Sequence, residues 1–454
     1  MGRVFFKNPG KKKLLLGLIA FCVCLLTFFL LPGDFPGSAK RVIAVILFAI
    51  FFWGFEIIPL YATALLVVLG LTLLLQAELG FEAFLLPFSN PVIFLFLGGL
   101  TLAVAAHKHD VDRFLMEKML AKVGHSTKAL IWGILLITAF FSMWISNTAT
   151  AAMMLLLVKP LIDKIEADDP LGKAVALAIV FGANLGGIGT PIGSPPNAIA
   201  IGILAEEGTL LTFLSWLIMT VPLMLILLAL AAGVIFYFFR PKTRAIDLPL
   251  PKQKPLSKRG IAVIAIILFI IALWLTKPLH HIPEEIVALI GVGIFTASRL
   301  IGVKDFRTIQ WDILILIWGG LALGEGVQKS GLINEIVKFP LFSHHEYLLI
   351  TAFCILAILL TSFISNTATA NLILPLAISI APASSSFLTI TIALSCSLAL
   401  FLPISTPPNA IVYGSGAITV RDMMKAGGVL SALCLIPILL GFKYVIPLIL
   451  KFLI

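Results

Sequence analysis

Charge is what this sequence has least of. Asp, Glu, Lys and Arg make up 12% of its 454 residues, against 60% that are hydrophobic. A soluble globular chain is about a quarter charged and about half apolar. So little charge cannot cover a surface that faces water, whereas a surface that faces hydrocarbon needs almost none. Cysteine is also scarce. Cys22, Cys24, Cys354, Cys396 and Cys434 all fall in apolar runs and read as small buried hydrophobes. No histidine cluster accompanies them as a zinc site requires. The sequence has no His-Glu-x-x-His and no paired intramembrane aspartates, which excludes the common intramembrane proteases. The glycine run Gly186–Gly193 lies in an apolar span with no Lys-Ser/Thr after it, so it does not read as a phosphate loop.

What is present are long apolar runs such as Leu14 to Leu31, Val42 to Phe52 and Ala262 to Leu275. A membrane span takes about 20 such residues. The whole chain reads as an all-α polytopic membrane protein with about eleven transmembrane helices and two shorter paired segments. The net charge of +10 is a matter of topology. Residues 1–13 hold Arg3, Lys7, Lys11, Lys12 and Lys13 with no acid, and 240–259 hold seven basic residues against Asp247. Short basic loops stay in the cytoplasm. The N-terminus and the linker 240–260 are therefore expected there, in an inner (plasma) membrane. The loops around 77–90 and 205–209, free of Lys and Arg, are expected outside. No nucleic-acid partner is implied. The basic-then-apolar N-terminus lacks a small-x-small cleavage site and reads as a retained first helix.

The chain is also duplicated. Ser-Asn-Thr-Ala-Thr-Ala occurs at 146–151 and 365–370, 219 residues apart. Pro-Pro-Asn-Ala-Ile occurs at 195–199 and 407–411, 212 apart, and Gly-Gly-Leu at 98–100 and 319–321, 221 apart. Three matches in one order at nearly one offset indicate two copies. The division expected is a leading segment 1–39, a first repeat 40–239, the linker 240–260 and a second repeat 261–454. Each repeat would cross five times, an odd number, so the second lies inverted and the C-terminus is external. Inverted repeats are the common construction of secondary transporters.

Each copy carries two segments with chemistry in them. Residues 129–158 and 347–378 are apolar stretches of about 30 residues centred on Ser-Asn-Thr. That is long for one span, and the charge pattern leaves no parity for another crossing, so each is expected to be a re-entrant helical hairpin with its tip near the midplane. The second pair is Gly186 through Asn197 and Pro403 through Asn409, where glycine and proline break a spanning helix. A break frees carbonyl oxygens for sodium and exposes a half-helix N-terminus worth about half a positive charge. Asn and Ser supply neutral oxygens for sodium, and Asn and Thr supply donors for a carboxylate. The polar segments hold no Lys, Arg, Asp or Glu, so a dianion there would need helix dipoles and bound cations to compensate it. Ser142 stands four residues before Ser146, whereas Ser362 stands three before Ser365, so the local registers of the two copies read as different.

These paired Ser-Asn-Thr tips, the Thr-Pro and Pro-Pro-Asn breaks and Trp53-x-x-Glu56-x-x-Pro59 resemble the divalent-anion/sodium symporter family over about residues 40–450. The resemblance implies a homodimer in which a transport domain moves like an elevator against a scaffold, carrying succinate, fumarate, malate, citrate or sulfate. It implies a first sodium site at Ser142, Ser146, Asn147 and Gly189. A second would use Thr361, the carbonyl of Ile364, Asn366 and Ser405. Substrate carboxylates would meet Asn147, Thr148, Asn366 and Thr367, with Thr190, Thr406 and Pro407 completing the pocket. The function expected is sodium-coupled symport of C4 dicarboxylates. The alternatives are a sodium-independent dicarboxylate exchanger, a citrate or sulfate transporter of the same fold, or a passive channel. Elsewhere, His280 and His281 read as solvated loop residues and Glu56 as a scaffold residue. Residues 107–128 read as an amphipathic helix on the cytoplasmic surface, an arm between a moving and a fixed domain.

Overall fold

The computed structural model describes residues 13, 15–19, 22, 23, 26, 35–166, 168–246, 254–336, 346–380 and 385–441. The basic segment 1–12, most of the expected first helix with Cys24, the linker residues 247–253 and the C-terminal 442–454 lie outside the described residues. Among the described residues the chain is helical, with no strand. The first repeat supplies α1 (Gly37–Gly54), α2 (Leu60–Leu79), α3 (Pro91–Lys108) and the short α4 (Val111–Leu120). The first hairpin follows as α5 (Thr127–Ser142) and α6 (Asn147–Ile162), then the broken pair α7 (Leu171–Gly186) and α8 (Pro195–Glu206), then α9 (Phe213–Phe238). The second supplies α10 (Lys258–Leu275), α11 (Glu284–Ala297) and α12 (Trp311–Lys329). Its hairpin is α13 (Glu346–Thr361) and α14 (Asn366–Ile380), its broken pair α15 (Ser385–Cys396) and α16 (Pro407–Gly414), and α17 (Val420–Leu440) closes it.

Eight helical stretches, those built on α1, α2, α3, α7, α9, α10, α12 and α17, are long and apolar enough to cross a membrane. The other three expected crossings are the first helix, the 14-residue α11 and the broken pair α15–α16. The helices begin where the sequence dictates. Pro36, Pro59 and Pro283 stand at the N-caps of α1, α2 and α11, where a missing N–H costs nothing. Trp53 is fully buried and its indole donates to the Leu60 carbonyl at 3.0 Å, which holds the turn carrying Glu56 in a left-handed conformation. Trp274, 221 residues on, does the same to Glu284 at 3.0 Å. His280 is more than a solvated loop residue, because its ring bridges the Leu273 carbonyl (2.8 Å) and the Ile282 N–H (2.9 Å). The apolar side of α4 is packed: Val111, Met116 and Leu120 are buried, while His107 pairs with Asp112 and Arg113 with Glu117.

The buried side chains form three bodies. A central one joins both hairpins, both broken helices, α9 and α17. One flanking body is built from α1, α2 and α12, and the other from α10, α11 and α3. Each flank thus takes two helices from one copy and one from the other. Glycine makes this exchange possible. A Cβ on Gly98 of α3 would lie 2.5 Å from the Ala288 Cβ of α11, and one on Gly319 of α12 would lie 2.6 Å from the Ala64 Cβ of α2. The repeats interlock through the first glycine of each Gly-Gly-Leu.

The linker is tied down where it leaves α9. Asp169 accepts from the backbone N–H groups of Leu171, Lys242 and Thr243 and from the Thr243 hydroxyl. Burial raises its pKa, but these four donors outweigh burial and hold it at about 2. A depressed carboxylate pKa contributes stability above its unfolded value that is lost as pH falls through the folded one. The tether therefore holds at every pH above about 4 and weakens from there toward 2.

Two outcomes are expected. Gly98→Val and Gly319→Val should each cost about 1–3 kcal/mol, read as a lower melting temperature in detergent. Gly293→Ala, with nothing within 4 Å of the added carbon, should cost nothing. At neutral pH, Asp169→Ala should speed tryptic cleavage at Lys242 and Arg244 relative to the parent chain.

Candidate functional site

Both hairpin tips are built the same way. Ser146 caps α6 by accepting from the Ala149 N–H at 3.3 Å, and Ser365 caps α14 by accepting from the Ala368 N–H at 3.1 Å. The serine of each Ser-Asn-Thr is therefore an N-cap, and the Asn and Thr occupy the first turn, at the positive end of the helix dipole. Ser142 Oγ lies 2.7 Å from Asn147 Oδ1 and 2.6 Å from the Ala183 carbonyl. Thr361 Oγ1 lies 2.8 Å from Asn366 Oδ1 and 2.8 Å from the Cys396 carbonyl. The hydroxyl five residues before each Asn locks the tip to the broken helix of its own repeat. The counterpart of Ser142 is thus Thr361, and the two registers are the same. Ser362 instead gives its carbonyl to Ser405 Oγ at 2.7 Å.

The helix breaks carry their own clamps. Asn197 Nδ2 donates to the carbonyls of Gly187 (2.9 Å) and Thr190 (2.8 Å). Asn409 Nδ2 donates to those of Ala399 (2.9 Å) and Leu402 (2.9 Å), the positions 212 residues later. The last residue of Pro-Pro-Asn therefore reaches back across each break and pairs the carbonyls that the break released. Those carbonyls were expected to face sodium, and they are occupied. The Gly189 carbonyl is taken by Thr220 Oγ1 at 3.2 Å. The oxygens beside the tip hydroxyls are instead those of Ala183 and Cys396.

Between the central body and the flanking helices lies a cavity of about 430 Å³, the size of a small-molecule site. Ser146, Asn147 and Thr148 line it from one tip, and Ser365, Asn366 and Thr367 from the other. Ser194 and Pro195 at the start of α8, and Thr406 and Pro407 at the start of α16, complete the polar wall. Phe96 and Gly99 of α3 and Ile313 and Leu316 of α12 form the apolar wall. Four helix N-termini converge here. Among the described lining residues Asp312 is the one charge, at the rim, and no Lys or Arg is present.

Of the residues expected at the site, Ser146, Asn147, Thr148, Asn366, Thr367, Ser405, Thr406 and Pro407 all line this cavity. Ser142 and Thr361 stand behind it, fully buried. Thr190 is also buried, and its hydroxyl donates to the Met143 carbonyl, so the structure places it as a brace for the tip. Gly189 packs against Met143 and Met224, and the Ile364 side chain packs in the α1–α2–α12 core.

The comparisons with known proteins agree with this architecture. The citrate transporter family model matches residues 43–392 and 341–453. The chain belongs to the citrate transporter family. It is 34% identical to an uncharacterized transporter of Haemophilus influenzae, over 92% of this chain and 95% of that one. It is 30% identical to the sodium-dependent dicarboxylate transporter SdcS of Staphylococcus aureus, over 98% of this chain and 95% of that one. Two solved structures share the fold at low identity. The Alcanivorax borkumensis YdaH transporter has a TM-score of 0.58 at 13% identity, covering 87% of this chain and 98% of that one. Neisseria gonorrhoeae MtrF has a TM-score of 0.55 at 12% identity, covering 92% and 96%. The relatives and the fold are those of transporters, not enzymes.

In this member of the citrate transporter family, sequence reasoning left four elements without a role: Asn197, Asn409 and the carbonyls of Ala183 and Cys396. The signal for the asparagines was present in the repeated Pro-Pro-Asn, which marks a clamp as readily as a ligand. For the two carbonyls there was none, because neither residue type is distinctive.

Replacing a clamp should cost more stability than replacing a tip. Asn409→Leu leaves two buried carbonyls unpaired, at about 1–3 kcal/mol each. It should lower the melting temperature well below that of Asn366→Ala.

Proposed function

We propose that the chain is a sodium-coupled symporter of C4 dicarboxylates such as succinate, fumarate and malate, working as a homodimer in the inner membrane by an elevator-type movement. One observation carries this reading: four helix N-termini and two Asn-Thr pairs face one cavity that no Lys or Arg lines. Each N-terminus contributes at most about half a positive charge and fades within a turn. The four together approach a dianion's charge without reaching it, so bound cations are needed to complete the balance. With each Oδ1 engaged by a hydroxyl, the amide NH2 of Asn147 and of Asn366 is the group left to donate to a carboxylate. Two such tips, from inverted repeats, suit an anion with a carboxylate at each end.

The sodium sites in this reading centre on Ser142, Ser146, Asn147 and Gly189 in one repeat and Thr361, Ile364, Asn366 and Ser405 in the other. Each tip hydroxyl has two oxygens within 2.8 Å but only one hydrogen to offer. A small cation relieves the close approach of neutral oxygens that a single proton leaves. The sodium dependence of SdcS, a relative over nearly the whole chain, supports the coupling. The placement of the cavity at the boundary of the central body supports movement of that body, with hairpins and broken helices travelling together against the flanks. The rim residues Pro59, Tyr61, Gln310 and Asp312 stand at the starts of α2 and α12. By the distribution of basic loops these ends are cytoplasmic, so the cavity opens inward and the N-terminus and the linker 240–260 lie on that side.

The test is uptake of radiolabelled succinate into proteoliposomes under an inward sodium gradient. Asn147→Ala and Asn366→Ala should each reduce uptake to background at an unchanged melting temperature. Equal uptake by the parent chain in sodium and in choline would overturn the coupling. Near-parental uptake by either variant would overturn the site.

A further inference from the structure

Asn184 follows the carbonyl that Ser142 meets, and it sits in the wall of the cavity, fully buried. Both hydrogens of its amide are committed. Nδ2 donates to the Val180 carbonyl at 2.9 Å and to Asn409 Oδ1 at 2.8 Å. Chemistry fixes the orientation of the two amides. The Ala399 and Leu402 carbonyls can only accept, so the group of Asn409 that faces them is its NH2 and the group that faces Asn184 is its oxygen. The Val180 carbonyl imposes the same on Asn184. What remains is Asn184 Oδ1, a buried acceptor with no donor.

A buried acceptor in the wall of a binding cavity is a demand on the ligand, because leaving it unpaired carries the whole desolvation penalty. A dicarboxylate with only carboxylates and C–H groups cannot meet that demand. At neutral pH its oxygens accept and none donates. A hydroxyl on the carbon chain can. With one carboxylate at each hairpin tip, the carbon chain lies between the two repeats, and Asn184 bridges the repeats through Asn409. We infer that Asn184 Oδ1 accepts a hydrogen bond from the substrate hydroxyl, so that the site selects 2-hydroxy dicarboxylates over their unsubstituted counterparts. This rests on reading the cavity as a dicarboxylate site.

The test is calorimetric binding of L-malate and of succinate, in sodium, to the purified full chain and to Asn184→Ala. The parent chain should bind malate about tenfold more tightly than succinate, the discrimination that one unmade buried hydrogen bond supplies. Asn184→Ala should bind succinate as before and lose the preference for malate. Equal binding of the two by the parent chain overturns the inference, and that comparison stands alone should the variant fail to fold. A folded variant that keeps the preference also overturns it. So does one whose sodium dependence shifts equally for both anions, because the partner of Oδ1 would then be the cation. If neither anion binds the parent chain, the dicarboxylate reading itself fails and the inference falls with it.

Discussion

A helix interrupted inside hydrocarbon must satisfy the backbone groups it exposes, because no water is there to do so. Everything distinctive in this chain follows from how it meets that constraint. The chain interrupts its helices at two tips and two breaks, and at each it closes the account with a short polar side chain. Ser146 and Ser365 cap the tips, and Asn197 and Asn409 clamp the breaks. Thr190 and Ser405 brace the tips from the breaks, through the carbonyls of Met143 and Ser362. Once the backbone is paired locally, the asparagine and threonine of each tip are free for a ligand. The irregular backbone can then sit beside a cavity instead of being buried against a neighbour.

Duplication turns one such device into two that face each other. The flanking bodies exchange a helix between repeats, and the close contacts of Gly98 with Ala288 and Gly319 with Ala64 set that exchange at matching depths. The central body then holds both hairpins and both breaks as one packed unit. Within it the two halves touch through polar groups as well as apolar ones. Asn184 of the first repeat donates to Asn409 of the second, joining the break of one copy to the helix that the other copy's tip leans on. A ligand that engages both tips therefore meets a surface already continuous across the repeats.

Much of this was legible in the sequence, for physical reasons. The hairpins expected at 129–158 and 347–378 appear as Thr127–Ile162 and Glu346–Ile380, because apolar length and a central polar triplet leave few alternatives. The breaks stand where glycine and proline put them. What misled was identity of residue type. Ser362 was paired with Ser142 because both are serines, yet the geometry asks for a hydroxyl five residues before the asparagine, which is Thr361. The freed carbonyls were given to sodium because nothing in a linear sequence shows that Asn197 folds back onto Gly187 and Thr190. The role of Asn184 was invisible for a further reason: its partner lies 225 residues away in the other repeat.

The central claim is that a cavity without a basic residue holds a dianion by helix N-termini and completes the charge balance with sodium. Equilibrium binding of succinate to the purified chain, titrated across sodium concentration against a choline background, tests it most directly. The account predicts an affinity that strengthens steeply with sodium and binding that vanishes in choline. Succinate binding of equal strength in both salts would contradict it.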